Sequence, residues 1–401
     1  MSHPDLVTVA SVLGDGEAGA TSSTSGAKAP GTYTVVPSAS SPRLLVPHGQ
    51  RRVAAAAVRG SIVAVSRQAR LRQQALAGLF AIGIGRASLG DLIFRGRVTV
   101  DSSSKLSTFL STQLGTRVHV SMRFGPQRAN RKPVLQLLDQ DGRCIAFAKL
   151  SVDEITEQLI LAETAALRGL DGSDLSPVRA PRVRYAGPWG NAALLVVEAL
   201  PVWSKATVPP ARAAELRAAA MRAVASSAGV TRTTVASSGY VARLGERVDA
   251  LGDHPLTGTF RDAIAAASKH PEPIDFGAWH GDWNAGNMAV RGDDVLLWDW
   301  ERYTIGAPVG FDALHYELFR SVGTGTSAVE AAAGIAARRA AILAPLGIAA
   351  GDADPVWTLY ATDIATRFVT DRQELGTTRL AQVSQWIGPA LADVVPAAQR
   401  S

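Results

Sequence analysis

The stretch "AWHGDWNAGNMAVRGDDVLLWDWE", residues 278–301, places His280, Asp282, Asn287 and Asp299 in a segment that otherwise reads as buried. Two readings are open: a polar turn between strands, or a site that holds metal and moves a proton. An Asx-rich turn accounts for Asp282, Asn284 and Asn287, whose side chains readily bond nearby backbone. It does not account for Asp299, an acid at the end of the apolar strand "DVLLWDW". Asp293 and Asp294, by contrast, read as a plain hairpin turn. Phosphoryl transfer needs a carboxylate to orient an acceptor hydroxyl and take its proton. The metal between the phosphates needs hard oxygen ligands, such as an amide and a carboxylate. Asp282 with Asn287 five positions on supplies the first carboxylate and the amide, and Asp299 the second carboxylate.

Working outward, two more charged residues fall on apolar faces. Ile145, Phe147 and Lys149 share one face of the strand "CIAFAKL" by period-two alternation. A lysine snorkelling at the strand end is the plain alternative. Glu163 lies inside a helical stripe, with Leu159 and Leu167 four residues either side and Ile160 and Ala166 three either side. A carboxylate there needs a partner, and the preceding strand offers Lys149; a Glu at the edge of the stripe is the alternative. A buried Lys–Glu pair between a third strand and the next helix holds nucleotide phosphates elsewhere.

These residues sit in a recognisable order. "RVHVSMRFG", "KPVLQLLDQDG" and "RCIAFAKL" read as three strands. A helix follows, opened by a capping-box pattern at Ser151-Val152-Asp153-Glu154. "RVRYAG" and "NAALLVVEAL" are two further strands, and past Pro201 the chain reads as mostly helical, interrupted by the quoted stretch and its neighbours. That order predicts an α+β fold in two lobes.

"HGDWNAGN", followed by "LLWDWE" and "GAPVGFD", resembles the aminoglycoside phosphotransferase and choline kinase-like family, over about residues 116–395. The resemblance implies a protein-kinase-like fold: a β-rich N-lobe with one main helix over 116–200, and a helical C-lobe with the catalytic loop over 201–395. It implies an ATP- and Mg2+-dependent phosphotransferase that moves the γ-phosphate to a hydroxyl of a small molecule of sugar, aminoglycoside or amino-alcohol type. Carried over, it makes Asp282 the catalytic carboxylate and Asn287 and Asp299 the magnesium ligands. Lys149 contacts the nucleotide's phosphates, with Glu163 its helix partner. His280 braces the loop, and Asp312 supports the C-terminal helices. The chain departs from the pattern at Asn284-Ala285-Gly286, and in "FGPQRANRKP", which holds one glycine where a glycine-rich loop is usual. There Arg128, Arg131 and Lys132 either grip phosphate or face solvent.

Residues 1–31 lack apolar periodicity and read as a flexible lead-in. Residues 32–115 lie outside the resemblance, as an N-terminal extension or cap of open fold. From Arg43 to Lys132 sixteen Lys or Arg stand against two acids, within a net charge of +6. These arginines are interleaved with apolar residues and form no tract, so no nucleic-acid partner is expected. No apolar run approaches a membrane span, and the N-terminus lacks a basic n-region before an apolar core. A single cysteine, Cys144, excludes an intramolecular disulfide. Cytoplasmic placement is the expectation; acceptor, nucleotide preference and oligomeric state stay open.

Two other functions compete with this one. His280-x-Asp282 with His315 matches a non-haem iron triad, but leaves Asn287, Asp299, Lys149 and Glu163 without tasks. The alternative is a kinase-like fold that binds nucleotide without catalysis; such proteins usually lack the base or a metal ligand, and none is missing here.

Overall fold

The computed structural model describes residues 20–21, 32–38, 41–60, 67–82, 97–100, 103–124, 132–202, 207–371, 380 and 383–391. The loop residues Arg128 and Arg131 lie outside them. The fold is α+β and divides into two compact units.

The first unit is built on one nine-stranded sheet. Along the chain come β1 (Ala20–Thr21), β2 (Thr32–Ser38), β3 (Ser41–Pro47), helices α1 (Arg51–Gly60) and α2 (Arg67–Ala81), β4 (Arg97–Val100) and α3 (Ser103–Leu114). Then follow β5 (His119–Arg123), β6 (Val134–Leu138), β7 (Cys144–Leu150) and α4 (Glu154–Leu170). After β8 (Val178–Arg179), which belongs to the second unit, β9 (Val183–Trp189) and β10 (Ala192–Glu198) complete the sheet. The strand order is β1-β4-β2-β3-β5-β6-β7-β10-β9.

The extension is therefore a continuation of the sheet. β3 pairs antiparallel with β5, Leu44 opposite Arg123 and Leu45 opposite Met122. Alternation along the strands gives the sheet two apolar faces. Tyr33, Val35, Leu45, Val120 and Met122 share one buried cluster with Leu106 and Leu110 of α3. Val36, Leu44, Val46 and Leu138 share another with Val53, Ala57 and Phe80 of α1 and α2. Two helical covers on opposite faces explain why so much aliphatic sequence precedes β5.

One local expectation is corrected. The cap of α4 is Asp153, whose Oδ1 accepts from the Thr156 N–H at 2.8 Å, while Thr156 Oγ1 accepts from the Asp153 N–H at 3.0 Å. Ser151 still belongs to the ladder: its N–H bonds the Ala193 carbonyl and its Oγ accepts from the Ala193 N–H. A residue tied on both sides to β10 is not free to cap a helix.

The second unit carries α5 (Pro210–Ser226), β11 (Thr231–Thr233), α6 (Gly239–Asp249), α7 (Thr257–Ser268) and β12 (Ile274–Trp279). The hairpin β13 (Met288–Arg291) and β14 (Asp294–Leu297) follows, then β15 (Thr304–Pro308). Helices α8 (Phe311–Gly323), α9 (Ala328–Leu343), α10 (Ala353–Thr370) and α11 (Val383–Ala390) complete it. β11-β12-β15 and β13-β14-β8 form two three-stranded sheets. β14 pairs in parallel with the short β8, Val295 opposite Val178.

Helix α10 is buried along almost its whole length. Its Thr358, Thr362 and Thr366 hydroxyls each donate to the carbonyl four residues back, so polar side chains are satisfied within the helix. Among the described residues no helix is long and apolar enough to cross a membrane.

Candidate active site

In the first unit, Lys149 Nζ donates to both carboxylate oxygens of Glu163, each at 2.6 Å. Strand pairing fixes the lysine, with Val134 opposite it on β6 and Leu195 on β10. Its partner sits mid-way along α4, and the two side chains are 7% and 1% exposed. A buried ammonium and a buried carboxylate are each costly alone, and each here answers the other.

In the second unit, the chain leaves β12 and turns sharply through His280, Gly281 and Asp282. Gly281 has φ 83°, and a Cβ there would meet the Arg302 carbonyl oxygen at 2.4 Å. The Asp282 carboxylate then receives three donors. Asn284 Nδ2 reaches Oδ1 at 2.9 Å, Asn287 Nδ2 reaches Oδ2 at 2.8 Å, and His315 Nε2 lies 3.3 Å from Oδ1. Burial alone would raise this carboxyl, but the hydrogen bond from His315 and the charge of Arg367 draw it below the usual carboxylate range. It is ionised at neutral pH, and its side chain keeps 35% of its surface exposed.

Asn287 commits its amide nitrogen to Asp282 alone, at Oδ2 and at the backbone carbonyl. Its Oδ1 is thereby turned away from Asp282, the orientation a metal-ligating amide requires. The hairpin brings Asp299 close by. Met288 pairs with Leu297, and the Trp298 N–H bonds the Asn287 carbonyl at 3.0 Å, so Asp299 is the next residue on. Asp299 is the one described non-glycine residue with positive φ, at φ 66° and ψ 59°. Aspartate tolerates this left-handed region better than most side chains. The turn is pinned on both sides: the Trp298 carbonyl lies 3.1 Å from His280 Nε2, and the Trp300 indole donates to the Leu297 carbonyl at 3.0 Å. An amide oxygen and a carboxylate on adjacent strand ends are the hard donors that magnesium takes.

His280 is fixed by its neighbours. Its Nδ1 accepts from the Asp282 N–H, so the proton sits on Nε2 and points at the Trp298 carbonyl. Burial pushes this imidazole down to about 4, against the opposing pull of Asp282 and Asp299. Asp312 on α8 accepts from the backbone N–H groups of His280 at 2.8 Å and Gly281 at 3.2 Å. It supports the loop, where the sequence suggested the C-terminal helices. Desolvation pushes its carboxyl up to about 7 despite these bonds.

Three further contributors escaped the sequence. Tyr360, Asp363 and Arg367 form one stripe of α10 at helical spacing. Tyr360 OH lies 3.2 Å from His315 Nδ1, and Arg367 donates to the Gly281 carbonyl at 2.7 Å. Asp363 accepts from Tyr240 and Arg247. The stretch "YATDIATRF" carries the stripe, but nothing local says which loop it faces. The iron triad finds no support: both ring nitrogens of His280 and of His315 are engaged by protein groups.

No protein-family model matches the chain, and no curated protein sequence matches it. Solved structures are similar to it. A protein from Haemophilus somnus 129PT described as a fructosamine-3-kinase is 13% identical at a TM-score of 0.48, the match covering 71% of this chain and 96% of that one. A spectinomycin phosphotransferase, solved with ADP and spectinomycin, is 13% identical at a TM-score of 0.46, covering 72% and 97%. A choline/ethanolamine kinase family protein from Mesorhizobium loti is 13% identical at a TM-score of 0.42, covering 74% and 97%. The chain is similar to these three proteins, each described as a kinase or phosphotransferase.

Proposed function

We propose that the protein is an ATP- and Mg2+-dependent phosphotransferase acting on a hydroxyl of a small molecule. The observation that carries the reading is the pair of hydrogen bonds that Asn287 donates to Asp282. One amide nitrogen fixes the carboxylate, and the amide oxygen is left for a cation beside Asp299.

In the proposed reaction the acceptor oxygen forms a bond to the γ-phosphorus of ATP as the bond to the β–γ bridging oxygen breaks. ADP leaves, and the hydroxyl proton passes to Asp282. A carboxylate held below its usual range is a weak base, so its main task is to orient the hydroxyl and receive the proton late. Asn287 and Asp299 would hold the magnesium, which when bound neutralises charge on the phosphate oxygens. Lys149, kept in place by Glu163, would contact the nucleotide's phosphates. The acceptor is a sugar, aminoglycoside or amino alcohol in class.

The test is ATP consumption, with and without magnesium, against a panel of those acceptors. Magnesium-dependent ADP release stimulated by one of them is expected. A protein that binds ATP yet releases no ADP with any acceptor or with water would be a nucleotide-binding protein without catalysis.

A further inference from the structure

Asp282 has two carboxylate oxygens, and the loop treats them differently. Each oxygen offers about two in-plane lone pairs. Oδ1 is approached by Asn284 Nδ2 at 2.9 Å and by His315 Nε2 at 3.3 Å. Oδ2 is approached by Asn287 Nδ2 at 2.8 Å. Among the described residues, one oxygen is filled and the other retains an open lone pair.

The filling of Oδ1 depends on which nitrogen of His315 carries the proton. An ionised carboxylate accepts and cannot donate, so Nε2 must bear hydrogen for the contact to attract. His315 is fully buried, stacked on Phe319 at 4.2 Å and 22°, with the Trp279 and Tyr360 rings packed edge-on. Burial lowers its basicity and raises that of the Tyr360 phenolate. A neutral ring with hydrogen on Nε2 has a lone pair on Nδ1, and Tyr360 OH stands 3.2 Å from it. The chain of donors therefore runs one way, from Tyr360 to His315 to Asp282.

We infer that His315, held as its Nε2–H tautomer between the Asp282 carboxylate and Tyr360, is a positioning residue that occupies Oδ1 of Asp282 and so presents Oδ2 to the acceptor hydroxyl. This rests on the phosphotransferase reading and adds which oxygen takes the proton. Without the tyrosine hydroxyl, Nδ1 loses its partner and the ring is held from the Asp282 side alone, so its grip on Oδ1 loosens.

The experiment uses the full chain. Protein labelled with ¹⁵N in histidine is examined by long-range proton–nitrogen spectra at neutral pH, with the His315 signals assigned by their loss in His315→Gln. A neutral Nε2–H pattern is expected in the wild type, with the Nδ1 resonance displaced in Tyr360→Phe by loss of its hydrogen-bond donor. In parallel, magnesium-dependent ATP hydrolysis with water as acceptor is followed. His315→Phe and Tyr360→Phe should lower kcat, the former by about 10²-fold, with KM for ATP unchanged. His315→Gln, whose amide N–H can still reach Oδ1, should recover most of that loss. An Nδ1–H or imidazolium wild-type ring in an enzyme that turns over ATP overturns the inference alone. Equal losses in the Gln and Phe variants do the same, because they mark a packing role. A wild type that binds ATP but does not hydrolyse or transfer it overturns the phosphotransferase reading itself.

Discussion

Asn287 Nδ2 donates to Asp282 twice, at 2.8 Å to Oδ2 and at 3.0 Å to the backbone carbonyl. The asparagine thus holds both the backbone and the side chain of the residue five positions before it. Losing it disturbs two proposed tasks together, whereas losing Asp299 disturbs one.

Asn287→Ala should therefore weaken magnesium-dependent nucleotide use and also lower turnover at saturating magnesium, while Asp299→Ala should mainly raise the magnesium requirement. Magnesium titrations at fixed ATP check this. An unaltered metal requirement in both variants rules the two residues out as ligands.

Asp282→Ala should reduce turnover by about 10²–10⁴-fold, the usual cost of removing a positioned base, and leave ATP binding in place. The comparison is steady-state rate against ATP affinity in the same preparation. Wild-type turnover in the variant would remove Asp282 from the chemistry.

The Lys149–Glu163 pair predicts stability as well as activity. Lys149→Met leaves a carboxylate buried without its ammonium, a change costing about 3–5 kcal/mol. Glu163→Leu does the converse. The double variant Lys149→Met/Glu163→Leu should be more stable than the sum of the two losses, because no charge is left stranded. Urea denaturation gives the cycle, and strict additivity would mean that the two side chains act separately. ATP use should stay low in all three.

Asp312 and His280 predict an unusual response to acid. Asp312 is raised from 3.8 to about 7, so the folded state holds its proton more tightly and this group favours folding as pH falls from about 7 towards 3.8. His280 is lowered from 6.5 to about 4, so the unfolded state takes the proton first and this group opposes folding as pH falls from 6.5 to about 4. The two are hydrogen-bonded neighbours with opposite signs over nearly the same window. At about 1.4 kcal/mol per unit, they largely cancel. Asp312→Asn removes one side of the balance and should lose stability from pH 6.5 to 4 more steeply than the wild type. Parallel curves of denaturation midpoint against pH would show that Asp312 is not shifted.

A chain beginning at residue 116 should be less stable and less soluble than the full one. It lacks β3, which pairs with β5, and Leu106 and Leu110, which share a buried cluster with Val120 and Met122. Thermal melting and yield of soluble protein decide it. An equally stable short chain would make the extension an independent module.

Much of this was legible in the residues. Alternation in "CIAFAKL" put Lys149 on a defined strand face, and the helical stripe put Glu163 inward, so the partnership followed from two local periodicities. The spacing of Asp282, Asn287 and Asp299 is also local, since the hairpin that joins them lies within the same stretch. What was not legible came from farther along the chain. His315 and Arg367 meet the loop from helices 33 and 86 residues away, with Tyr360 behind His315, and helical periodicity says that a face is buried without saying against what. The same limit hid the sheet's extension. The short apolar run around Leu44 and Leu45 does not name β5 as its neighbour. The cap of α4 failed for a smaller reason: Ser151 and Asp153 are both capping residues by type, and β10 engages the first.

The pairing of Leu44 with Arg123 also has a consequence for biosynthesis. The β2–β3 hairpin leaves the ribosome about 80 residues before the strand that covers its edge, which at roughly 5–20 residues per second is an interval of about 4–16 s. During that time the β3 edge of an aliphatic hairpin stays unpaired, even once β4 has closed the β2 edge. Nascent chains in this state are open to wrong pairings with one another. The yield of active protein should then be set by translation speed and chaperone supply over the first third of the message, well before the residues proposed for catalysis have been made.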